Sequence, residues 1–122
     1  MDKLLIDEER VEDIVILRVQ GLVDSGTSQQ MEERLDRLVA EGVVKIIVDL
    51  GMVDYISSAG WGIFVGEIKG VRQKNGDIKL ASMRPDVREV FDLLEFNALL
   101  TPYDSREDAL TAFGTTENSE LA

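Results

Sequence analysis

The chain contains neither cysteine nor histidine. Thiol nucleophiles, disulfide frameworks, zinc sites of the Cys/His type and any Ser-His-Asp triad built from its own residues are therefore excluded. Basic residues are scarce as well: 13 Lys+Arg stand against 24 Asp+Glu, a net charge of −11. A surface of that sign repels phosphate backbones and anionic membrane leaflets, so direct nucleic-acid binding is not expected. Long apolar runs are missing too. The N-terminal Leu4-Leu5-Ile6 is cut off by Asp7 and Glu8, and no later stretch approaches the roughly 20 apolar residues that span a bilayer. The expectation is a cytoplasmic protein with no signal peptide and no direct membrane insertion.

What is present suits one domain. A chain of 122 residues with 44% hydrophobic residues can bury a single core without staples. Leu4 to Glu9 and Ile14 to Val19, separated by the polar Glu12-Asp13, predict two antiparallel strands, the second ended by Gly21. Thr27 and Gln30 form a capping-box pattern ahead of Met31, Leu35, Leu38 and Val39, which recur at helical spacing up to Gly42. Val43 to Leu50 is nearly continuously apolar, as expected of a central strand covered on both faces, and a turn over Gly51 to Tyr55 follows.

Trp61, Phe64, Val65, Ile68 and Val71 mark one face of a second helix, with Lys69, Arg72 and Lys74 complementing the dipole near its end and Asn75-Gly76 stopping it. Asp77 to Ala81 alternates like a strand. Pro85 opens a third helix carrying Val87, Val90, Phe91 and Leu94, and a short strand is expected around Leu99 to Thr101. Ser105 with Asp108 caps a last helix with Ala109, Leu110 and Phe113. Residues 114–122 have too little apolar content to pack, so a disordered C-terminal tail is expected. The order ββαβαβαβα over residues 1–113 predicts an α/β domain with a mixed, largely parallel sheet, right-handed crossovers and helices packed against it.

Ser57 and Ser58 fall at the entry to the second helix, beside unpaired backbone N–H groups and the positive end of the helix dipole. Such a place favours phosphate, and a phosphoserine carries about −1.5 to −2 charges at neutral pH. Serine before a helix is an ordinary N-cap contributing about 1 kcal/mol, and local pattern alone favours the cap over the switch without excluding either. A catalytic nucleophile is not supported, because neither serine lies in G-x-S-x-G or S-x-x-K and no histidine is available as a base.

Gly60 and Gly62 bracket Trp61 in the first turns of that helix, where each glycine costs about 0.5 to 1 kcal/mol relative to alanine. Either the helix start packs closely on a neighbour, or a partner approaches the backbone beside Ser58. The G-x-G spelling lacks the further glycine of a dinucleotide loop and no Walker lysine accompanies it, so no nucleotide cofactor is expected. Trp61 shares its face with Phe64, Val65 and Ile68 and reads as core, with interface anchoring as the alternative for an exposed ring. Asp24 precedes the first helix and reads as a cap or a partner contact. Asp49 and Asp54 read as turn residues, too few to make a metal site.

The element order, Gly21-Leu22-Val23-Asp24, Val48-Asp49-Leu50 and above all Tyr55-Ile56-Ser57-Ser58-Ala59-Gly60 resemble the STAS-domain family, specifically bacterial anti-sigma factor antagonists, from residue 4 to residue 113. The resemblance implies a STAS-like sheet with helices packed on it and a binding protein that is not an enzyme. In such proteins a serine at the N-terminus of the second helix is phosphorylated by a serine-kinase anti-sigma factor. Unphosphorylated, the antagonist sequesters that kinase and frees a sigma factor, and a serine phosphatase resets it. The matching positions make Ser58 the acceptor, with Ser57 as the alternative, and make Asp24, Ser57, Ser58, Gly60 and Trp61 the partner-binding residues. No cofactor or metal is implied. The family pattern commonly runs Asp, Ser, Ser or Thr, Gly. Here Ser57 stands for the Asp, Ala59 for the second hydroxyl, and Trp61 where Leu is frequent. These departures motivate the rival reading, a non-phosphorylated STAS scaffold or accessory subunit of a stress-signalling complex or membrane transporter.

Overall fold

Alternating side chains divide the apolar residues of the central strands between two sheet faces. In the strand Ile14–Val23 (β2), Val15, Leu17 and Val19 face one way and Ile14 and Ile16 the other; in Lys45–Ile56 (β3), Ile46, Val48 and Leu50 oppose Ile47. The computed structural model describes residues 3–114. The remaining elements are β1 (Leu5–Val11), α1 (Ser28–Ala40), α2 (Ser58–Gln73), β4 (Asp77–Ala81), α3 (Pro85–Leu93), a 3₁₀ turn (Phe96–Ala98), β5 (Thr101–Tyr103) and α4 (Arg106–Phe113). The five strands lie in sequence order, β1 antiparallel to β2 and every other neighbouring pair parallel. β3 is the middle strand, as its apolar run requires.

Stepping in one direction along a sheet with crossovers of one hand places successive helices on the same face. Accordingly Met31, Leu35 and Leu38 of α1, Trp61, Phe64 and Ile68 of α2, and Val87 and Phe91 of α3 all enter the larger core. α4 covers the opposite face, setting Ala109 against Ile14, Ile16, Ile47 and Ala81. The ion pair of Arg106 with Glu9 ties it to β1. Beneath α4 the alternation expected of β4 does not leave its polar residue in water. Lys79 is 8% exposed, with its ammonium 2.9 Å from Asp77 and 4.5 Å from the centre of the Phe113 ring.

Four local expectations are corrected. The turn over Gly51 to Tyr55 does not form, since β3 runs unbroken to Ile56 and β2 continues beside it past Gly21 to Val23. Two register shifts, between Arg18 and Gln20 and between Gly21 and Leu22, absorb the residues that read as turn formers. Asp49 is accordingly a strand residue whose carboxylate accepts the Gly51 N–H at 3.0 Å. The capping box of Thr27 and Gln30 is also absent. Thr27 donates its hydroxyl to the Leu22 carbonyl at 2.7 Å and accepts the Asp24 N–H at 3.0 Å, while Gln30 clasps the backbone of Leu4. The last strand falls at Thr101–Tyr103, two residues later than expected, because the 3₁₀ turn takes up the intervening chain. Of the expected tail, only Gly114 is described, closing α4 with φ +76°; residues 115–122 lie outside the described residues. The Asn75-Gly76 stop does form, and a Cβ at Gly76 would fall 1.9 Å from the Val44 carbonyl oxygen, so only glycine fits there.

Candidate functional site

Parallel strands bring their carboxyl ends to one edge of the sheet, where connections to the following helices leave polar groups exposed. Here Val23 of β2 lies opposite Ile56 of β3, which sets Asp24 beside the Ser57-Ser58 entry to α2. Ser57 holds that junction. Its N–H donates to the Val23 carbonyl at 2.8 Å, its hydroxyl accepts the Gly60 N–H at 3.3 Å, and its carbonyl accepts the Trp61 N–H at 2.9 Å. With φ −81° and ψ 173° it is the N-cap of α2. Ser58, the first helical residue, is exposed, and its hydroxyl has no partner among the described residues. The two serines therefore divide roles that local pattern left undivided.

Gly60 settles the question raised by the paired glycines. A Cβ there would stand 2.7 Å from Val23 Cγ1, 2.9 Å from Ile56 Cγ2 and 2.9 Å from the Val23 carbonyl oxygen, so the helix start is seated directly on β2. Gly62 meets nothing within 4 Å. Trp61 is 1% exposed, stacked on Phe96 at 5.2 Å and tilted against Phe91 at 5.6 Å. Trp61 is core, as its helical face reads, and Gly60 answers to close packing; the resemblance made both partner-binding residues, but both lie beneath the surface, where they fix the position of α2. The Trp61 indole N–H is buried without an acceptor among the described residues.

Asp24 is half-buried and builds the loop ahead of α1. Its carboxylate accepts the N–H groups of Gly26 at 2.9 Å and Thr27 at 3.2 Å, leaving the loop edge next to Ser58 rigidly tied. Asp54, read as a turn residue, sits in β3 and pairs with Arg84 at 3.0 Å. Sequence reasoning did not single out Leu22 and Tyr55, which are 39% and 54% exposed and lie opposite each other at the ends of β2 and β3. Each is a bulky apolar side chain in a segment read as a turn or as lying past a strand end, where an exposed apolar residue stands out.

A second titratable cluster lies away from this edge. Glu67 of α2 meets Asp36 and Glu32 of α1, with carboxylate oxygens all within 4.8 Å of one another. Burial, then hydrogen bonding to Asp36, then the charges of Asp36 and Glu32 push the Glu67 carboxyl up to about 7. Glu32 and Asp36 are exposed, and the three form an acidic seam between helices.

The family model of the STAS domain matches residues 6–109, nearly the whole described fold. The chain belongs to the STAS-domain family. Among its relatives, BtrV of Bordetella bronchiseptica, a candidate anti-sigma factor antagonist by name, is 37% identical over 113 residues, covering 93% of this chain and 96% of that one. A solved structure from Thermotoga maritima, also a candidate anti-sigma factor antagonist by name, superposes with a TM-score of 0.83 at 23% identity, over 88% of this chain and 92% of that one. The anti-sigma factor antagonist SpoIIAA in its unphosphorylated form gives a TM-score of 0.70 at 22% identity, over 89% and 97%. Its phosphorylated form, from Bacillus, gives 0.68 at 19%, over 89% and 99%. As a STAS domain, the chain carries at position 57 a residue that serves as the helix cap. Serine and aspartate are comparably good caps, and Ser57 supplies this one without a charge. Among the described residues, no helix is long and apolar enough to cross a membrane.

Proposed function

We propose that the chain is an anti-sigma factor antagonist controlled by phosphorylation of Ser58. In this reading it works in the cytoplasm as a binding regulator: unphosphorylated, it sequesters a serine-kinase anti-sigma factor and frees a sigma factor, and a serine phosphatase restores the binding form. One observation carries the reading. Ser58 is exposed at the start of a 16-residue helix, its hydroxyl without a partner among the described residues, while Ser57 supplies the cap, so phosphate can be added without dismantling the helix. The name borne by BtrV and the two phosphorylation forms of SpoIIAA support it. Leu22, Tyr55 and the Asp24 loop surround Ser58 as the contact surface, with Gly60 and Trp61 holding it from below.

A phosphate at Ser58 adds about −1.5 to −2 charges beside Asp24 and Asp54, and a like-charge contact of that kind costs several kcal/mol once a partner excludes water. Binding is thereby switched through surface charge. Incubation with ATP and a serine-kinase anti-sigma factor encoded beside the gene is expected to place one phosphate on Ser58 by mass spectrometry. Ser57→Ala is expected to retain that label and Ser58→Ala to lose it. Phosphate on neither serine would refute the switch and leave a STAS scaffold or accessory subunit; phosphate on Ser57 alone would move the acceptor.

A further inference from the structure

Between the end of β3 and α3 lies a cleft of about 270 Å³ whose floor and mouth differ in chemistry. Ile56, Trp61 and Val87 are buried and form its floor, whereas Asp54, Asp86 and Glu89 are exposed at its mouth. Asp54 already holds one guanidinium, that of Arg84. Asp86 Oδ1 accepts the N–H of Val87 in its own helix at 3.0 Å, and neither Asp86 nor Glu89 has an ion pair among the described residues. The Trp61 ring, 1% exposed, closes the floor from beneath. Small-molecule sites typically hold roughly 300 to 1,000 Å³, so this cleft is sized for a single long side chain. Methylenes suit the apolar floor, and a planar cation suits carboxylates spread around the mouth.

We infer that this cleft receives an arginine side chain of the protein that binds the Ser58 surface, and so contributes to partner selection. The inference rests on the function proposed above for that surface. Tyr55 and Ile56 line the cleft and run directly into Ser57 and Ser58, which makes cleft and switch one continuous face. A lysine would supply the charge without the fork that reaches separated carboxylates.

Trp61 is the single tryptophan, so its indole N–H gives one resolved signal in a ¹⁵N-edited NMR spectrum. Titration of the full chain with acetyl-arginine methylamide is expected to move that signal saturably, and the neutral isostere acetyl-citrulline methylamide to leave it in place. In the Asp86→Asn/Glu89→Gln variant, whose unfolding midpoint should match wild type, affinity for the arginine probe is expected to fall at least about fivefold. Equal responses to both probes, or an undiminished response in the variant, would overturn the inference. Against the anti-sigma kinase the variant is expected to bind about tenfold more weakly. Unchanged kinase affinity in the variant overturns the role of the cleft while leaving Ser58 untouched. Failure of wild type to bind the kinase would fall on the Ser58 reading instead, and the probe titration, which needs no partner, still decides the cleft.

Discussion

Replacing Gly60 by alanine should loosen the foundation of the proposed Ser58 switch without touching its surface. The added Cβ would fall 2.7 Å from Val23 Cγ1, 2.9 Å from Ile56 Cγ2 and 2.9 Å from the Val23 carbonyl oxygen, where carbon contacts ordinarily relax at about 3.5 to 4.0 Å. Two of these neighbours are side-chain methyls that can rotate, but the third is backbone and is also the acceptor for the Ser57 N–H. Overpacking of this kind costs about 1 to 3 kcal/mol, and the better helix propensity of alanine offsets at most about 1 kcal/mol of it. The net expectation is a loss of about 1 to 2 kcal/mol, read as a lower urea midpoint at unchanged slope and a Tm lower by about 4 to 10 °C. Because the α2 start must slide off β2, affinity for the proposed kinase partner should fall with stability. Gly62→Ala is the internal control: nothing lies within 4 Å of its Cβ, so helix propensity alone should stabilise it by about 0.5 to 1 kcal/mol. If Gly60→Ala is as stable as Gly62→Ala and binds as well as wild type, the close seating of α2 on β2 is not what holds the site.

Ser57→Ala should lose about 1 kcal/mol in urea unfolding, and Ser57→Asp should recover it, because the position works as the α2 cap; equal stability of all three would refute the cap. Glu67 titrates near 7 when folded against 4.5 in the unfolded chain, so the folded form holds the extra proton and its stabilising effect is lost as pH rises from about 4.5 through about 7. Partial exposure limits this to on the order of 1 kcal/mol, and Glu67→Gln should flatten the difference between unfolding at pH 5 and pH 8; an unchanged slope would refute the shared proton with Asp36. Lys79→Ala should destabilise by about 2 kcal/mol and raise amide exchange in α4, since its ammonium bridges Asp77 and the Phe113 ring. The loss stays below that of a lone buried pair because Asp77 keeps Arg72 at 3.0 Å; unchanged protection in α4 would count against that anchoring.

Much of the fold was legible because its signals are local. The apolar periods of α1, α2 and α3, the unbroken apolar run of β3, the Pro85 start and the Ser105 cap each depend on residues within a turn or two of one another, and each element appears where those signals lie. The site was legible as a place for the same reason: Ser57 and Ser58 precede a helix that its own periodicity announces. What failed to read were partnerships made at long sequence separation. Gln30 was spent on Leu4 instead of its own helix end, and the Gly51 to Tyr55 segment stayed in the sheet because β2 ran on beside it.

The sequence by itself determined the class of molecule: an acidic chain without cysteine or histidine, one α/β domain, and a serine pair at a helix entry in place of catalytic groups. Only the tertiary structure decided which serine is the cap and which is exposed, that Gly60 is a seat and Trp61 a pillar beneath them, and that Leu22 and Tyr55 face solvent at the same strand ends. The physical reason is common to all of these. A residue's type limits what it can do, but its role follows from the atoms it meets, and at this edge those atoms come from β2, β3, α2 and α3, brought together by the core beneath them.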